Sequence, residues 1–200
     1  MSATPPYRTL IIDDDAAVHQ LFSSILSQEL IHPASSQPAE PALPAADFPR
    51  FEVDCAFDGR QGLECVQKAL AEKRPYSMAF VDMWMKPGWN GIETIGRLWL
   101  ECSDLQIVLC ASHTDFTWHD IVNRFGHTDR LLVLKKPFYV MDVRQMAYAL
   151  AEKWNLFNRP KAASSAGKSP LPAAPQYRRK ATSLSSAKSW NNSRPARNSA

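Results

Sequence analysis

Acidic side chains are concentrated at two points where a short apolar run of the sequence ends. Three consecutive aspartates, Asp13–Asp15, follow one such run, and Asp82 follows another. Carboxylates gathered in this way would form an oxygen-rich site of the kind that Mg²⁺ prefers, because that ion takes a few carboxylates and keeps several waters. Lys136 follows a further apolar run and could offer a point charge to a phosphate group.

Together these groups could carry out phosphoryl transfer onto a carboxylate. The metal ion and the lysine would offset negative charge on the phosphoryl oxygens while an aspartate attacks in line. Simpler interpretations exist for single residues: Asp15 has the position of a helix N-cap, Asp82 could be a turn residue, and Lys136 could be a surface lysine. Two adjacent acids, Asp13 and Asp14, are costly at the end of a buried strand unless a cation is present.

Five strand–helix units in succession would position these residues. Short apolar runs predict the strands, and apolar residues at helical spacing predict a helix after each of them. The predicted strands are Thr9–Ile12, Phe51–Phe57, Met78–Val81, Leu105–Cys110 and Leu131–Leu134. The helical spacing covers Val18–Leu26, Leu63–Leu70, Ile92–Trp99, Trp118–Phe125 and Val140–Leu150. Such repeats form a parallel sheet covered by helices on both faces, and ligands bind beyond the carboxyl ends of its strands.

Composition divides the chain into an acidic body and a basic tail. Residues 160–200 contain eight basic and no acidic residues, which leaves fifteen basic and twenty acidic residues in 1–159. We predict a flexible N-terminus over 1–6, a folded domain over 7–155, and a disordered tail rich in Ser, Ala and Pro over 156–200. Five prolines predict a long loop inserted in the domain at 32–50.

Several classes of protein are disfavoured by the sequence. No stretch approaches the roughly 20 apolar residues of a membrane span, and the N-terminus lacks the apolar segment of a secretory signal. Four cysteines without a CxxC pair indicate reduced thiols, so we expect a cytoplasmic protein. The basic tail could bind nucleic acid or an anionic membrane, but it lacks a recognition fold, so we expect at most weak binding.

Three segments, in the correct order, resemble the motifs of response-regulator receiver domains. They are Leu10–Asp15 at the first strand, Phe80–Gly88 at the third and Leu134–Phe138 at the fifth, and the resemblance covers about residues 7–154. Residues 80–94, 110–121 and 131–138 are most similar to receivers that precede a sensor-kinase or cyclic-dinucleotide-synthase module.

The resemblance implies a fold, a reaction and a set of site residues. The fold would be flavodoxin-like, a doubly wound parallel sheet of five βα units in three layers. Asp82 would accept a phosphoryl group from a histidine kinase or a histidine phosphotransfer protein, and Lys136 would contact that group. The implied Mg²⁺ ligands are Asp13, Asp14, Asp82 and the backbone carbonyl of Trp84. The chain would then signal by binding a downstream protein, whose identity the sequence does not indicate, rather than turn over a substrate as an enzyme.

Two positions depart from the pattern of receiver domains. Receivers usually carry Thr or Ser directly after the fourth strand, and its hydroxyl contacts the phosphoryl group; here Ala111 takes that place and Ser112 comes one residue later. Ser112 is a candidate for a shifted hydroxyl, although a shift of one residue at a strand end points a side chain elsewhere. Val133 stands where an aromatic residue is common, so the switch that follows phosphorylation is in question.

Other residues near the predicted site have more general interpretations. Trp84 and Trp89 are expected either to be partly buried against the neighbouring helix or to form a surface for the kinase. His113, His119 and His127 show no metal-ligand spacing with a nearby Cys or carboxylate, so we expect surface or capping roles. Lys135, next to the implied phosphoryl contact, is expected to be solvated.

Two alternative functions stay open. A receiver-like scaffold that is not phosphorylated would act by binding alone; the loss of a hydroxyl at Ala111 favours it, and the retained acids and lysine argue against it. A phosphatase of the haloacid-dehalogenase type would use Asp13 and Asp15 as nucleophile and acid/base. That family has Thr or Val where Ala17 stands, and it has no use for the pattern around Asp82.

Overall fold

The computed structural model of the chain describes residues 5–27, 49–112 and 117–158. Most of the predicted insertion at 32–50, and the predicted tail from residue 159 onward, lie outside these residues. Residues 1–4 of the predicted flexible N-terminus lie outside them too. The predicted domain boundaries therefore stay predictions.

Five strands alternate with five helices along the described chain. The strands are β1 (Tyr7–Ile12), β2 (Phe51–Ala56), β3 (Met78–Asp82), β4 (Gln106–Ala111) and β5 (Leu131–Lys135). The helices are α1 (Ala16–Leu26), α2 (Gly59–Ala71), α3 (Gly91–Glu101), α4 (Trp118–Phe125) and α5 (Val140–Asn158). All five predicted units are present, with differences of one or a few residues at several element ends. Ala111 closes β4 instead of following it, and α5 continues three residues into the segment predicted as tail.

The five strands form one parallel sheet in the order β2-β1-β3-β4-β5. This order confirms the predicted flavodoxin-like, doubly wound fold. From β1 the chain winds outward to β2 and then crosses back to β3 on the other side, so the winding direction changes between β1 and β3. The carboxyl ends of β1 and β3 flank the crevice that such a change opens, which is where ligands bind in this class of fold.

Alternating residues of β1 face the two helical layers. Ile11 belongs to the buried cluster that contains Phe22 of α1 and Val143 of α5. Ile12, the next residue, faces the other layer, where its side chain lies against Gly62 of α2. Because helices cover both faces of the sheet, its three inner strands are mostly apolar and buried in their middle, and charged residues follow β1 and close β3 at their carboxyl ends.

Polar N-caps explain where four of the helices begin. Asp15, Asp58, Asn90 and Thr117 each accept a hydrogen bond from a backbone N–H in the first turn of α1, α2, α3 and α4. The Asp15 carboxylate accepts from the amide of Ala17 at 2.9 Å, which confirms the predicted capping role. No helix in the described ranges has the length and apolar character of a membrane span.

Helix α3 begins very close to the end of β3. A Cβ atom at Gly91 would lie 2.5 Å from the carbonyl oxygen of Asp82 and 2.9 Å from the Cα of Met83. The amide of Gly91 donates to the Met83 carbonyl at 2.9 Å. This approach requires the absence of a side chain, and it fixes the backbone directly after Asp82.

We expect Gly91→Ala to lower the free energy of unfolding by about 1–3 kcal/mol, because the added methyl meets backbone that cannot move aside. Gly96→Ala is the matched control on the same helix, since nothing lies within 4 Å of its added Cβ. The control should gain up to about 1 kcal/mol from the better helix propensity of alanine. Urea unfolding measures both variants, and equal stabilisation by the two would contradict the close approach.

Candidate functional site

The site lies at the carboxyl ends of β1, β3 and β5. Asp13 directly follows β1, Asp82 ends β3, and Lys136 directly follows β5. The strands that carry the two aspartates are neighbours, and β5 lies two strands beyond β3. The amide of Lys136 donates to the carbonyl of Ala111 at 2.9 Å, so the end of β4 fixes the backbone from which the lysine side chain reaches across.

Lys136 contacts both buried carboxylates. Its Nζ lies 2.8 Å from Oδ1 of Asp82 and 3.1 Å from Oδ2 of Asp13. Asp13, Asp14 and Asp82 each offer an oxygen, and these oxygens lie within 4.8 Å of one another. Asp13 and Asp82 are buried, whereas Asp14 is open to solvent. The structure thus brings together four residues that the sequence selected from three separate segments.

Backbone amides hold the remaining oxygens of the two buried carboxylates. Oδ2 of Asp82 accepts from the amide of Trp84 at 3.2 Å, and Oδ1 of Asp13 accepts from the amide of Asp15 at 2.9 Å. Each carboxylate is therefore oriented by the turn that follows it as well as by Lys136. This arrangement sets the positions of the oxygens without a ligand, which lowers the cost of organising the site when one binds.

The local charges do not balance within the chain. Burial raises the pKa of Asp82 above its ordinary value, with Asp13 adding to this, while Lys136 and the Trp84 amide act against it. Burial alone would lower the pKa of Lys136, but the carboxylates of Asp82 and Asp13 outweigh it and the pKa is raised. The single ammonium group of Lys136 contacts two buried carboxylates. Its positive charge therefore neutralises only one of their two negative charges.

The residues fit a divalent metal ion. Three carboxylates against one ammonium leave an excess of two negative charges, which a divalent cation would offset. Every side-chain ligand offered is a carboxylate oxygen, the donor that Mg²⁺ takes in proteins. The backbone carbonyl of Trp84 stays a predicted fourth ligand, on a residue whose amide already contacts Asp82.

The fold does not test the predicted contact between the Ser112 hydroxyl and a phosphoryl group. Ala111 is buried at the last position of β4, and Ser112 follows it with an exposed side chain. The role of Ser112 therefore stays a prediction. Val133 is partly buried on β5, and Lys135 is exposed, as predicted.

Cys110 lies beside the site, and the sequence gave no sign of this. It pairs with Asp82 in the register of β3 and β4, and its carbonyl accepts from the Met83 amide at 2.9 Å. Burial raises the pKa of the Cys110 thiol, with Asp82 and Asp13 adding to this and Lys136 opposing it, so the thiol stays neutral. Strand register would have revealed this residue, but register cannot be obtained from an apolar run.

Four other residues that the sequence singled out have separate roles or positions. Asp15 caps α1, so the phosphatase alternative would have to use a carboxylate that is already engaged with the helix. His119 and His127 are exposed, as expected for surface residues. His113 lies outside the described residues.

Trp89 confirms the prediction of partial burial against a neighbouring helix. Its ring contacts the guanidinium groups of Arg97 on α3 and Arg60 on α2, with Cζ atoms 3.9 Å and 4.8 Å from the ring centroid. Trp84, in the same loop, is also partly buried. The sequence singled out both tryptophans but gave no sign of the two arginines.

Comparison with known proteins finds similarity at the level of the fold. No family model matches the sequence, and no curated protein matches it. An adenylate cyclase structure from Rhodopirellula baltica is similar with a TM-score of 0.57 and 23% identity, covering 76% of this chain and 93% of that chain. A response regulator receiver domain protein from Clostridium thermocellum has a TM-score of 0.54 and 16% identity, covering 76% of this chain and 98% of that chain.

The receiver domain of NtrX from Brucella abortus gives a TM-score of 0.51 and 18% identity, covering 72% of this chain and 98% of that chain. At these identities the likeness concerns the fold. It confirms the predicted resemblance to receiver domains in that respect, and the chemistry has to be argued from the residues of this chain.

We expect Mg²⁺ to stabilise the protein against thermal unfolding, by about 2.7 kcal/mol at a concentration one hundred times its Kd. Asp13→Asn should abolish most of this gain, because it removes a buried ligand. Asp15→Ser is the matched control, since serine also caps a helix and Asp15 is not among the clustered carboxylates. Scanning calorimetry with and without Mg²⁺ measures the effect, and the same gain in all three proteins would exclude the site.

Proposed function

We propose that this chain, which has the fold of response-regulator receiver domains, accepts a phosphoryl group on Asp82 in a reaction that requires Mg²⁺. The contact of Lys136 Nζ with Asp82 Oδ1 at 2.8 Å, beside two further carboxylates, is the observation that carries the proposal. It supplies a nucleophile, a fixed positive charge and a set of metal ligands at one end of the sheet.

The proposed reaction moves a phosphoryl group from nitrogen to oxygen. A carboxylate oxygen of Asp82 attacks the phosphorus of a phosphohistidine; the O–P bond forms, the N–P bond breaks, and the imidazole nitrogen keeps the electron pair. Asp13, Asp14 and Asp82 would hold the ion, which supplies charge neutralisation for the transferring oxygens. Lys136 would contact a phosphoryl oxygen, and the Trp84 amide would keep Asp82 oriented.

Burial and Lys136 act in opposite directions on the protonation state of Asp82 that this reaction needs. Attack requires an ionised carboxylate, and the raised pKa of Asp82 opposes ionisation. Lys136 counteracts this, because its own raised pKa keeps it positively charged at neutral pH. The same lysine would thus stabilise the ionised carboxylate before transfer and the negative phosphoryl oxygens after it.

The partners follow from the chemistry of the donor. A histidine kinase or a histidine phosphotransfer protein would supply the phosphoryl group, and the phosphorylated chain would signal by binding another protein. It would accept and slowly lose one phosphoryl group, so it would not be an enzyme in the sense of repeated turnover. Such a donor would meet the chain in the cytoplasm, and no part of the proposal requires nucleic acid.

One observation favours a second candidate function, that of a scaffold which is not phosphorylated. The methyl group of Ala111 is buried at the end of β4, where receivers usually present a hydroxyl. In that case the carboxylates and Lys136 would serve to bind an ion and hold the fold. Covalent labelling of Asp82 separates the two functions.

We expect incubation with Mg²⁺ and acetyl phosphate to add the mass of one phosphoryl group to the protein. Asp82→Asn should abolish the addition, and so should removal of the metal ion with a chelator. Asp58→Asn is a control for loss of an acid elsewhere, because asparagine preserves the N-cap of α2. Intact-mass spectrometry measures the product, and a folded wild type that gains no mass from either acetyl phosphate or a kinase would favour the scaffold.

Ser112→Ala tests the shifted hydroxyl. If Ser112 donates to the phosphoryl group, as we expect, phosphorylation by acetyl phosphate should slow about tenfold, which corresponds to about 1.4 kcal/mol and to one hydrogen bond with a charged acceptor. Ala111→Ser, which restores a hydroxyl at the usual position, should recover the rate in the double variant. An unchanged rate in Ser112→Ala would show that the reaction proceeds without this hydroxyl.

A further inference from the structure

The side chain of Trp89, in the loop between β3 and α3, contacts two arginines, Arg60 and Arg97. We call these three residues the Trp89 clamp. The guanidinium Cζ of Arg97 lies 3.9 Å from the centroid of the Trp89 ring, and that of Arg60 lies 4.8 Å from it. The arginines come from α3 and α2 respectively. One aromatic ring therefore joins the loop to two helices.

A neighbouring acid holds the side chain of Arg97 and another holds the backbone of Arg60. Nη2 and Nε of Arg97 donate to Oε1 of Glu93 at 2.8 and 3.3 Å, one turn earlier on α3. Arg60 lies in the first turn of α2, where its amide donates to the N-cap Asp58 at 2.7 Å. The cations of the clamp thus belong to two helices, and the ring belongs to the loop.

The clamp lies at the outer end of the loop, beside the N-cap Asn90 of α3. At its inner end the amide of Met83 donates to Cys110, and its carbonyl accepts from Gly91. Residues 86–88 are exposed, and Gly88 has a φ of +133°. Trp89, which follows them, is partly buried between the helices.

The same loop borders the metal site. Its second residue, Trp84, donates its amide to Asp82 at 3.2 Å. A shift of this turn would move that amide, and with it the orientation of a buried carboxylate. The geometry therefore connects the Trp89 ring to the oxygens around Asp82 through the backbone of the loop, although Trp89 is not among the clustered carboxylates.

We propose that Trp89 is a positioning residue which, held by Arg60 and Arg97, sets the affinity of the carboxylate site for its divalent ion. This proposal rests on the proposed function, because it takes Asp13, Asp14 and Asp82 to be the ligands. A loop released from the clamp samples positions in which Asp82 is misoriented. Ion binding must then restrict the loop, and the affinity falls by the cost of that restriction.

Ion binding to the full chain, without any phosphodonor, tests the proposal. Mn²⁺ is the probe, because it takes the same oxygen ligands as Mg²⁺ and the free ion is measured by electron paramagnetic resonance. We expect Trp89→Leu to raise the Kd for Mn²⁺ about three- to tenfold, the size of one or two cation–π contacts. Arg97→Gln should raise it less, and Trp89→Phe, which keeps a ring, should lie close to the wild type.

Lys68→Gln provides the matched control. Lys68 is an exposed residue of α2 that pairs with Glu72 at i,i+4, as Arg97 pairs with Glu93, but it contacts no aromatic ring in the described part of the chain. Its Kd for Mn²⁺ should equal that of the wild type. Urea unfolding without the ion shows how far each variant is destabilised.

The outcomes separate the clamp from the site itself. If the Asp13→Asn variant binds Mn²⁺ as tightly as the wild type does, both the metal site and the proposed role of the clamp are overturned. A wild type that binds Mn²⁺ through Asp13, beside a Trp89→Leu variant with an unchanged Kd, would overturn the clamp alone. In that second case a lower urea midpoint would show that the Trp89 contacts serve stability and not the ion.

Discussion

Two buried carboxylates that share one ammonium group are the constraint on which the rest of the structure depends. Two like charges within 4.8 Å repel by about 3 kcal/mol or more at an effective dielectric constant of 20. Lys136 offsets part of this by contacting both Asp13 and Asp82. Burial, with Asp13 adding to it, still raises the pKa of Asp82 against the effect of the lysine. Such a cluster persists because the surrounding fold is stable enough to hold it, and because a divalent cation can complete its charge balance.

The sheet supplies that stability from below the site. Ile11, Phe80, Cys110 and Leu134 belong to one buried cluster, and the site residues Asp13, Asp82 and Lys136 each follow a member of it by two positions. Strand alternation therefore places the charged groups directly above packed apolar side chains. Gly91 sets the backbone after Asp82 by its close approach. The positions of the carboxylates and of Lys136 thus follow from the packing of β1, β3 and β5 and from the close approach of the start of α3.

The sequence was sufficient for the order of the elements and for the residues at the strand ends, because apolar runs and the acids that follow them are local signals. It was insufficient wherever the result depends on how elements lie side by side. Cys110 came beside Asp82 through strand register, and Arg60 and Arg97 met Trp89 because α2 packs against α3. Element ends differed for a similar reason: Ala111 pairs with Lys135 across β4 and β5, which extends β4 by one residue.

Chemistry at Asp82 and its transmission to other surfaces have different requirements. The proposed chemistry needs a positive charge and carboxylate oxygens, and the structure places Lys136 and three aspartates together. Transmission in receivers usually needs a hydroxyl and an aromatic residue near β4 and β5, and here Ala111 and Val133 stand in those places. Lys136 still joins the two regions, since its side chain contacts Asp82 and its amide donates to the carbonyl of Ala111. Under the proposed function, a change of charge at Asp82 would act on the end of β4 through Lys136, without requiring a hydroxyl at position 111.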